Sequence, residues 1–528
     1  MDILFGQSYY LKFDPKLYEA MQPYPPLGTL YAASFIRKQG YSVALFDAML
    51  AQSEQEWADA LDEYRPHFAV IYEDNFNYLS KMCLLNMRQA AFTMIGLARE
   101  QNCTVIAAGS DATDHYEEYL GAGADFVIRG EGEETLAELV EQLTVNREQL
   151  TVNDLLSIPG IAFKSDTTHA LTQFTIHNSQ STMQTSPPRP VMKNIDRLPF
   201  PAWDLVDVGK YRRIWHERHG YYSMKMVTTR GCPYHCNWCA KPIWGQRYNA
   251  RSAENVAQEM KWLQDNFAPD HIWFADDIMG LKPGWWAELA QQVKAMDIHL
   301  PFKCLSRADL IVRDAADVNA LAEAGCEIVW MGAESGSQNI LNGMEKGTAV
   351  AQIFDATRLL QDAGVKAAFF LQFGYPGETR ADIERTLQMV RACDPDDIGI
   401  SVSYPLPGTK FYENVKQQLG KKQNWTDSAD LAMMYRGPFT TAFYRQLHVV
   451  LHKEFRSRKA WQEIKRAGLR PSRWRRRHFR ELAATIYRLT TLPLARYKLN
   501  QLAAIPHVGL SAMPHMSLDD AARPSPQE

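Results

Sequence analysis

Short apolar runs alternate with amphipathic stretches along most of this chain. In residues 1–140 the runs are Asp2–Gly6, Ser42–Ala48, His67–Asp74, Thr104–Ser110 and Ala124–Gly130, each bounded by Gly, Pro or charged residues. Runs this short, apolar on both faces, predict buried parallel strands. Helical patterns lie between them, such as Leu27–Gln39 stopped by Gly40. Five strands alternating with helices predict a doubly wound α/β sheet of the flavodoxin/Rossmann type, with ligands at the carboxyl ends of its strands.

A second series starts near Met224. Its strands are predicted at Met224–Arg230, His271–Asp277, Phe302–Arg307, Cys326–Ser335, Val365–Gly374 and Asp397–Tyr404, with helices such as Ala253–Phe267, Arg313–Ala324 and Arg380–Cys393 between them. Six βα units make a partial (β/α)6 barrel of the TIM type, whose active groups belong at the carboxyl ends of its strands. Between the two series periodicity is lost. Ile158–Lys164 and Ala170–His177 predict a small hairpin, and Ser186-Pro187-Pro188-Arg189-Pro190 an extended Pro-fixed segment. The expected organisation is an N-terminal domain over 1–140, a linker or crossover over 141–215, the barrel over 216–420, a helical region over 421–506 and a disordered tail over 507–528.

Composition narrows the class little. Hydrophobic residues make up 46% and charged residues 22%, ordinary for globular protein, and the net charge of −4 implies no global attraction to nucleic acid or membrane. No signal peptide opens the chain, no apolar run reaches membrane-span length, and eight cysteines in 528 residues make no disulfide framework. A reducing cytoplasm is the expected setting. From Lys453 to Arg480 the chain is strongly basic, with Trp461, Trp474 and Phe479 interleaved. Nucleic-acid binding, peripheral attachment to anionic lipid, or a solvated face packed on the barrel would each give such a run.

The most specific chemistry is the triplet Cys232, Cys236 and Cys239, spaced CxxxCxxC, in the loop after the first barrel strand. Three thiolates in one loop can hold three irons of a [4Fe–4S] cluster, normally held by four, leaving one iron open. A closed zinc site needs a fourth ligand, and His235 lies within the loop.

The triplet, with Trp238 just before its last cysteine, resembles the radical S-adenosylmethionine (SAM) superfamily, in which the open iron binds SAM. The other strand ends complete the resemblance. It implies that Trp238 packs beside the adenine and that Asp276 or Asp277 accepts from the amino group of SAM. Glu334 resembles the ribose or carboxylate contact, and Ser306 and Arg307 end the third strand at the same face. Glu378 is expected to be only a first-turn charge of the following helix. The N-terminal domain, with Gly109-Ser110-Asp111 and Gly130-Glu131-Gly132 at its strand ends, resembles the cobalamin-binding domain of one large radical SAM class. The resemblance makes Tyr72, Asn75, Gly109, Ser110, Asp111, Gly130 and Gly132 cobalamin contacts. No DxHxxG follows the first strand, so cobalt is expected without a His beneath it. The segment Gln423–Met434 is similar to the anaerobic magnesium-protoporphyrin IX monomethyl ester oxidative cyclase group.

What the resemblance implies is an enzyme with a [4Fe–4S] cluster, SAM and cobalamin as cofactors. It would act on an unactivated carbon of a tetrapyrrole, lipid or other secondary-metabolite intermediate, by methyl transfer or oxidative cyclisation. Its expected partners are a small-molecule substrate and an electron donor such as flavodoxin or ferredoxin, with no nucleic acid and with peripheral membrane contact through the basic helices. Two alternatives compete. A tRNA methylthiotransferase usually carries a second cysteine triplet, where this N-terminal domain holds only Cys83 and Cys103. A zinc-binding interaction module would not need six βα units.

Overall fold

The computed structural model describes residues 1–145, 150–165, 182–467 and 476–505. The first sheet has seven strands: β1 (Ile3–Gly6), β2 (Val43–Leu45), β3 (Phe68–Tyr72), β4 (Thr104–Ala108), β5 (Phe126–Ile128), β6 (Ile161–Lys164) and β7 (Met183–Thr185). Their order is β2-β1-β3-β4-β5-β6-β7. The five predicted strands are parallel, and the order reverses between β1 and β3, which makes that crevice the switch point. The stretch expected as a linker extends this sheet: β6 pairs antiparallel with β5, and β7 antiparallel with β6. The hairpin therefore forms with Met183–Thr185, and Ala170–His177 lies outside the described residues.

The Leu27–Lys38 helix shows why the domains sit together. Every residue from Leu27 to Ile36 is buried. A helix apolar all round needs cover on both sides. The sheet covers one side, through Ala32, Ala33 and Ile36. The other side, through Leu27, Leu30 and Tyr31, joins a core containing Trp203, Trp215 and the barrel's Met224 and Phe274. Apolar packing thus runs continuously from one domain into the other.

The barrel strands are β8 (Ser223–Met226), β11 (His271–Phe274), β12 (Phe302–Ser306), β13 (Cys326–Glu334), β14 (Lys366–Phe373) and β15 (Asp397–Val402). They form an open, all-parallel sheet in the order β15-β14-β13-β12-β11-β8. A two-residue antiparallel ribbon, β9 (Thr229–Arg230) with β10 (Asn249–Ala250), closes the base of the long loop that carries the cysteines. Strand alternation sends Ile272, Phe274, Phe302, Cys304, Val329, Met331 and Phe369 into the core beneath the outer helices. The helix expected over Arg313–Ala324 is broken into Ala308–Arg313 and Val318–Glu323, because Asp314 leaves helical geometry.

Two long helices, Thr441–Ala467 and Arg476–Ala503, pack antiparallel, with Gln446 bonded to Ala495 and Lys453 to Thr491. They dock on the barrel through Arg391–Glu454 and Arg458–Asp394. Part of the basic run is thereby spent on packing. The side chains of Arg466, Arg470, Arg473, Trp474, Arg475, Arg476, Arg477 and Phe479, and the tail from 506, lie outside the described residues. Among the described residues no helix is long and apolar enough to cross a membrane.

Candidate functional site

The carboxyl edges of the two sheets face each other, and buried charge ties them together. Arg230, at the root of the cysteine loop, reaches Glu131 at 2.5 Å and Glu133 at 2.6 Å, both just beyond β5. Lys225, pointing from β8 into the barrel, meets Asp74 at 2.7 Å beyond β3. Lys81 meets Asp277 at 2.5 Å beyond β11. A cavity of about 330 Å³ opens at this junction, lined among others by Asn77, Tyr78, Lys81, Trp273 and Asp277. Tyr78 is 60% exposed, yet desolvation, with Glu334 and Cys239 nearby, pushes its hydroxyl pKa up. Its side chain lines this cavity.

The cysteine loop is anchored from below. Both oxygens of Asp276 are taken: Oδ1 accepts from the Thr228 and Thr229 amides at 2.7 and 2.8 Å, and Oδ2 from the Thr228 hydroxyl. Burial pushes its pKa up to about 6 against those bonds. Asn237, inside the loop, donates to Gly343 O at 2.7 Å and to the Tyr375 hydroxyl at 2.9 Å. Its backbone pairs with Met344 and Phe411. Asn237 was not singled out in the sequence, where nothing but its position between two cysteines marks it.

The three cysteines are half-buried and free of disulfides. Burial raises the pKa of Cys232, and it pushes that of Cys239 up to about 12 with Cys232 and Cys236 contributing, so the thiols lie within each other's electrostatic reach. Around them stand cations. Arg307 lies 3.8 Å from Cys236 Sγ, stacks 3.6 Å over the Tyr234 ring and donates to Lys346 O and Thr348. Lys346, paired with Glu334 at 3.0 Å, is held above its usual pKa by Glu334 and Cys236 although burial pulls it down. Glu334 adopts φ +54°, which bends the end of β13 toward this network. Ser306 donates to Met279 O at 3.1 Å. His235 is exposed. Among the described residues no three His, Cys, Asp or Glu converge on a metal-binding centre. The donor set itself, three thiols on one loop with Arg307 brought to it from the end of β12 and Lys346 from beyond β13, suits an anionic iron–sulfur cluster. Trp238 packs against the cluster of Met344, Tyr375 and Phe411, with its indole N–H buried and unpartnered.

The first sheet's edge carries further unpartnered polar atoms. Ser8 Oγ, Glu73 Oε2, Asn75 Oδ1 and Ser110 Oγ are buried without a protein partner, beyond β1, β3 and β4 around the switch point. Buried polar groups are almost always paired, so four orphans on one edge fit a large polar ligand. Gly109, at φ +148°, permits the approach of Glu73, whose Cβ would lie 2.6 Å from any Cβ added there. Burial pushes the Glu73 pKa up to about 7. Tyr72 is buried with its hydroxyl against Gly132, where an added Cβ would fall 2.7 Å from it, and Gly130 donates to Thr113. Asp111 is bound by Arg88 at 2.6 and 2.8 Å.

Glu378 departs from expectation. The helix opens at Arg380 with Thr379 as its cap, and Glu378 turns inward, 3% exposed. Its Oε2 accepts from Gly374 N at 2.7 Å and from the Tyr444 hydroxyl, and Oε1 is unpartnered. Burial pushes its pKa up to about 8. A raised carboxyl pKa means the native state keeps a proton the unfolded chain has lost, so its contribution falls as pH rises toward 8. Glu378→Gln is therefore expected to flatten the loss of thermal stability between pH 6 and pH 8.5; an unchanged pH profile would place the titration elsewhere.

Residues 226–390 match the radical SAM superfamily and residues 18–140 the B12 binding domain. An uncharacterised methyltransferase of Pyrococcus horikoshii is 27% identical over 76% of this chain and 81% of its own length. The anaerobic magnesium-protoporphyrin IX monomethyl ester cyclase of Synechocystis is 26% identical over 74% and 72%. The cobalamin-dependent SAM radical enzyme OxsB shares the fold, with a TM-score of 0.68 at 14% identity over 94% of this chain and 72% of that one. The chain belongs to the cobalamin-dependent radical SAM enzymes, whose cofactors are a [4Fe–4S] cluster, SAM and cobalamin.

Proposed function

We propose that Cys232, Cys236 and Cys239 hold the cluster and that the facing edges of the two sheets hold SAM and cobalamin against one substrate chamber. The observation that carries this is the meeting of the cysteine loop with the orphaned polar edge of the first sheet, across the Arg230–Glu131 and Arg230–Glu133 contacts. When bound, the cluster supplies the electron that splits SAM to methionine and a 5′-deoxyadenosyl radical, and cobalamin supplies a methyl group or assists an oxidation.

The chain's own groups bind and orient. Asp277, at the chamber wall, is the acceptor for the SAM amino group, and Lys81 holds it in place. Asp276 supports the loop from beneath, its acceptors already taken by Thr228 and Thr229. Glu334, Lys346, Ser306 and Arg307 receive the ribose and carboxylate, and the Trp238 indole lies toward the adenine. Tyr72, Asn75, Gly109, Ser110, Asp111, Gly130 and Gly132 bound the cobalamin site, joined by Ser8 and Glu73. Cobalt is expected without a histidine ligand because no DxHxxG follows β1; His115 turns Nδ1 to Glu118 at 3.1 Å and leaves Nε2 buried without a hydrogen-bond partner.

The substrate is a tetrapyrrole, lipid or other secondary-metabolite intermediate. The names of the two relatives point one to methyl transfer and the other to cyclisation. Incubation with SAM labelled as CD3 separates the outcomes: deuteriomethyl in the product means transfer, and its absence beside deoxyadenosine means oxidation. The half-exposed loop suits reduction by flavodoxin or ferredoxin in the cytoplasm. The outer face of the Arg476–Ala503 helix exposes Tyr487, Leu494 and Tyr497 beside Arg496 and Lys498, which supports peripheral contact with anionic lipid. Flotation with anionic vesicles tests it, and protein left wholly at the bottom of the gradient removes it.

A further inference from the structure

The lumen of the half-barrel carries side chains that the cofactor sites do not use. Alternation along the strands turns Trp273, Lys303, Leu305, Trp330 and Phe370 inward while their neighbours fill the core. Trp330 and Phe370 stack at 4.7 Å and 28°, and Phe370 is 36% exposed although it lies within a parallel sheet. Gly399 on β15 makes room for that stack: a Cβ there would fall 3.1 Å from Phe370 and 3.5 Å from Trp330. Across the lumen, the Lys303 ammonium sits 3.6 Å over the Trp273 ring and 6.0 Å from the Tyr24 ring.

The two lumen lysines differ. Lys225 is satisfied by Asp74 at 2.7 Å. Lys303 has no ion pair or hydrogen bond among the described residues; Asp397, on the far strand, influences it only from beyond ion-pair distance. Burial brings its pKa down to about 7. A desolvated ammonium held only by aromatic faces is costly unless an anion completes it. The cavity between the sheets is lined by Lys225, Trp273 and Leu305; Trp273 is the cross-strand neighbour of Lys303 and Leu305 that of Trp330, so the cavity reaches the side chains next to this pair.

We propose that this lumen selects a substrate with a flat apolar body and one anionic group, such as a carboxylate, the body lying on Trp330 and Phe370 and the anion on Lys303. This rests on the lumen being the substrate chamber of the radical SAM reading above.

The test uses the anaerobic holoprotein and two probes of one shape, 2-naphthoate and the uncharged 2-naphthamide, followed by calorimetric titration. The naphthoate is expected to bind at least about tenfold more tightly. Lys303→Met brings the two affinities together, Lys303→Arg keeps them apart, and Gly399→Val weakens both. Should Gly399→Val fail to fold, the lysine pair decides alone. An equal affinity of the wild type for both probes, or a preference that survives in Lys303→Met, overturns the inference. Deoxyadenosine formation by the wild type is measured in parallel. SAM cleavage without the anion preference sinks only this inference, whereas the preference without SAM cleavage sinks the enzymatic reading.

Discussion

Replacing Cys236 by alanine is expected to abolish formation of 5′-deoxyadenosine from SAM, while the chain still folds and still takes up cobalamin. The thiol is half-buried and belongs to none of the hydrophobic clusters, so the exchange removes a ligand without opening a core cavity. The loop keeps its anchors, since Asn237 still bonds to Gly343 and Tyr375, and Asp276 to Thr228 and Thr229. Arg307 and Lys346 are left facing the gap with less negative charge to balance. Losing an outer-shell partner typically costs about 10–100-fold in metal affinity or activity, and losing one of three ligands costs more. Iron content, cobalt content, far-ultraviolet circular dichroism and product chromatography read the result. Retained SAM cleavage would contradict the assignment of this thiol.

Arg230→Met is expected to be the most damaging single change to stability. The guanidinium is buried with both its glutamates, and three aromatic rings, Tyr31, Phe76 and Trp244, surround it at 5.7–5.9 Å. Burial already raises the pKa of Glu131, with Arg230 acting against it. Removing one partner of a buried charge set leaves the others uncompensated and costs about 3–5 kcal/mol. The two glutamates belong to the first sheet's edge and the arginine to the root of the cysteine loop, so the loss falls on the seam between domains. Limited proteolysis and thermal unfolding are expected to show early opening between residues 140 and 230. Adding Glu131→Gln and Glu133→Gln is expected to recover much of the loss, because it removes the stranded charges. A triple variant no more stable than Arg230→Met would mean that the ring contacts, not the charges, hold the seam.

Most of the fold was legible because its strands are unusually plain. Runs such as Ile3–Gly6 and Phe68–Tyr72 are buried on both faces and read as continuous apolar segments. The cysteine loop was legible for a different reason: its spacing is a local property of one short segment. What stayed hidden is what pairs across the chain. Arg230 and Glu131 are 99 residues apart, and Lys225 and Asp74 are 151 apart, separations no periodicity encodes. Glu378 looked like a first-turn charge because Pro376 and Gly377 precede it and a helix follows. Its bonds from Gly374 N and from Tyr444, on the C-terminal helices, show that it turns inward. The hairpin was displaced because β6 pairs with Met183–Thr185, a short and half-polar strand with little apolar signal. Asp276 and Asp277, adjacent and alike in the sequence, both border the cavity, and only the folded strand end separates a buried anchor bonded to Thr228 and Thr229 from a part-exposed carboxylate paired with Lys81.

The most direct test of the account is anaerobic preparation with cobalamin supplied, followed by iron, sulfide and cobalt analysis and a deoxyadenosine assay with SAM and a reductant. The account predicts about four irons with matching sulfide, one cobalt per chain and deoxyadenosine formed. Zinc near one per chain, with no labile sulfide and no deoxyadenosine, would contradict it.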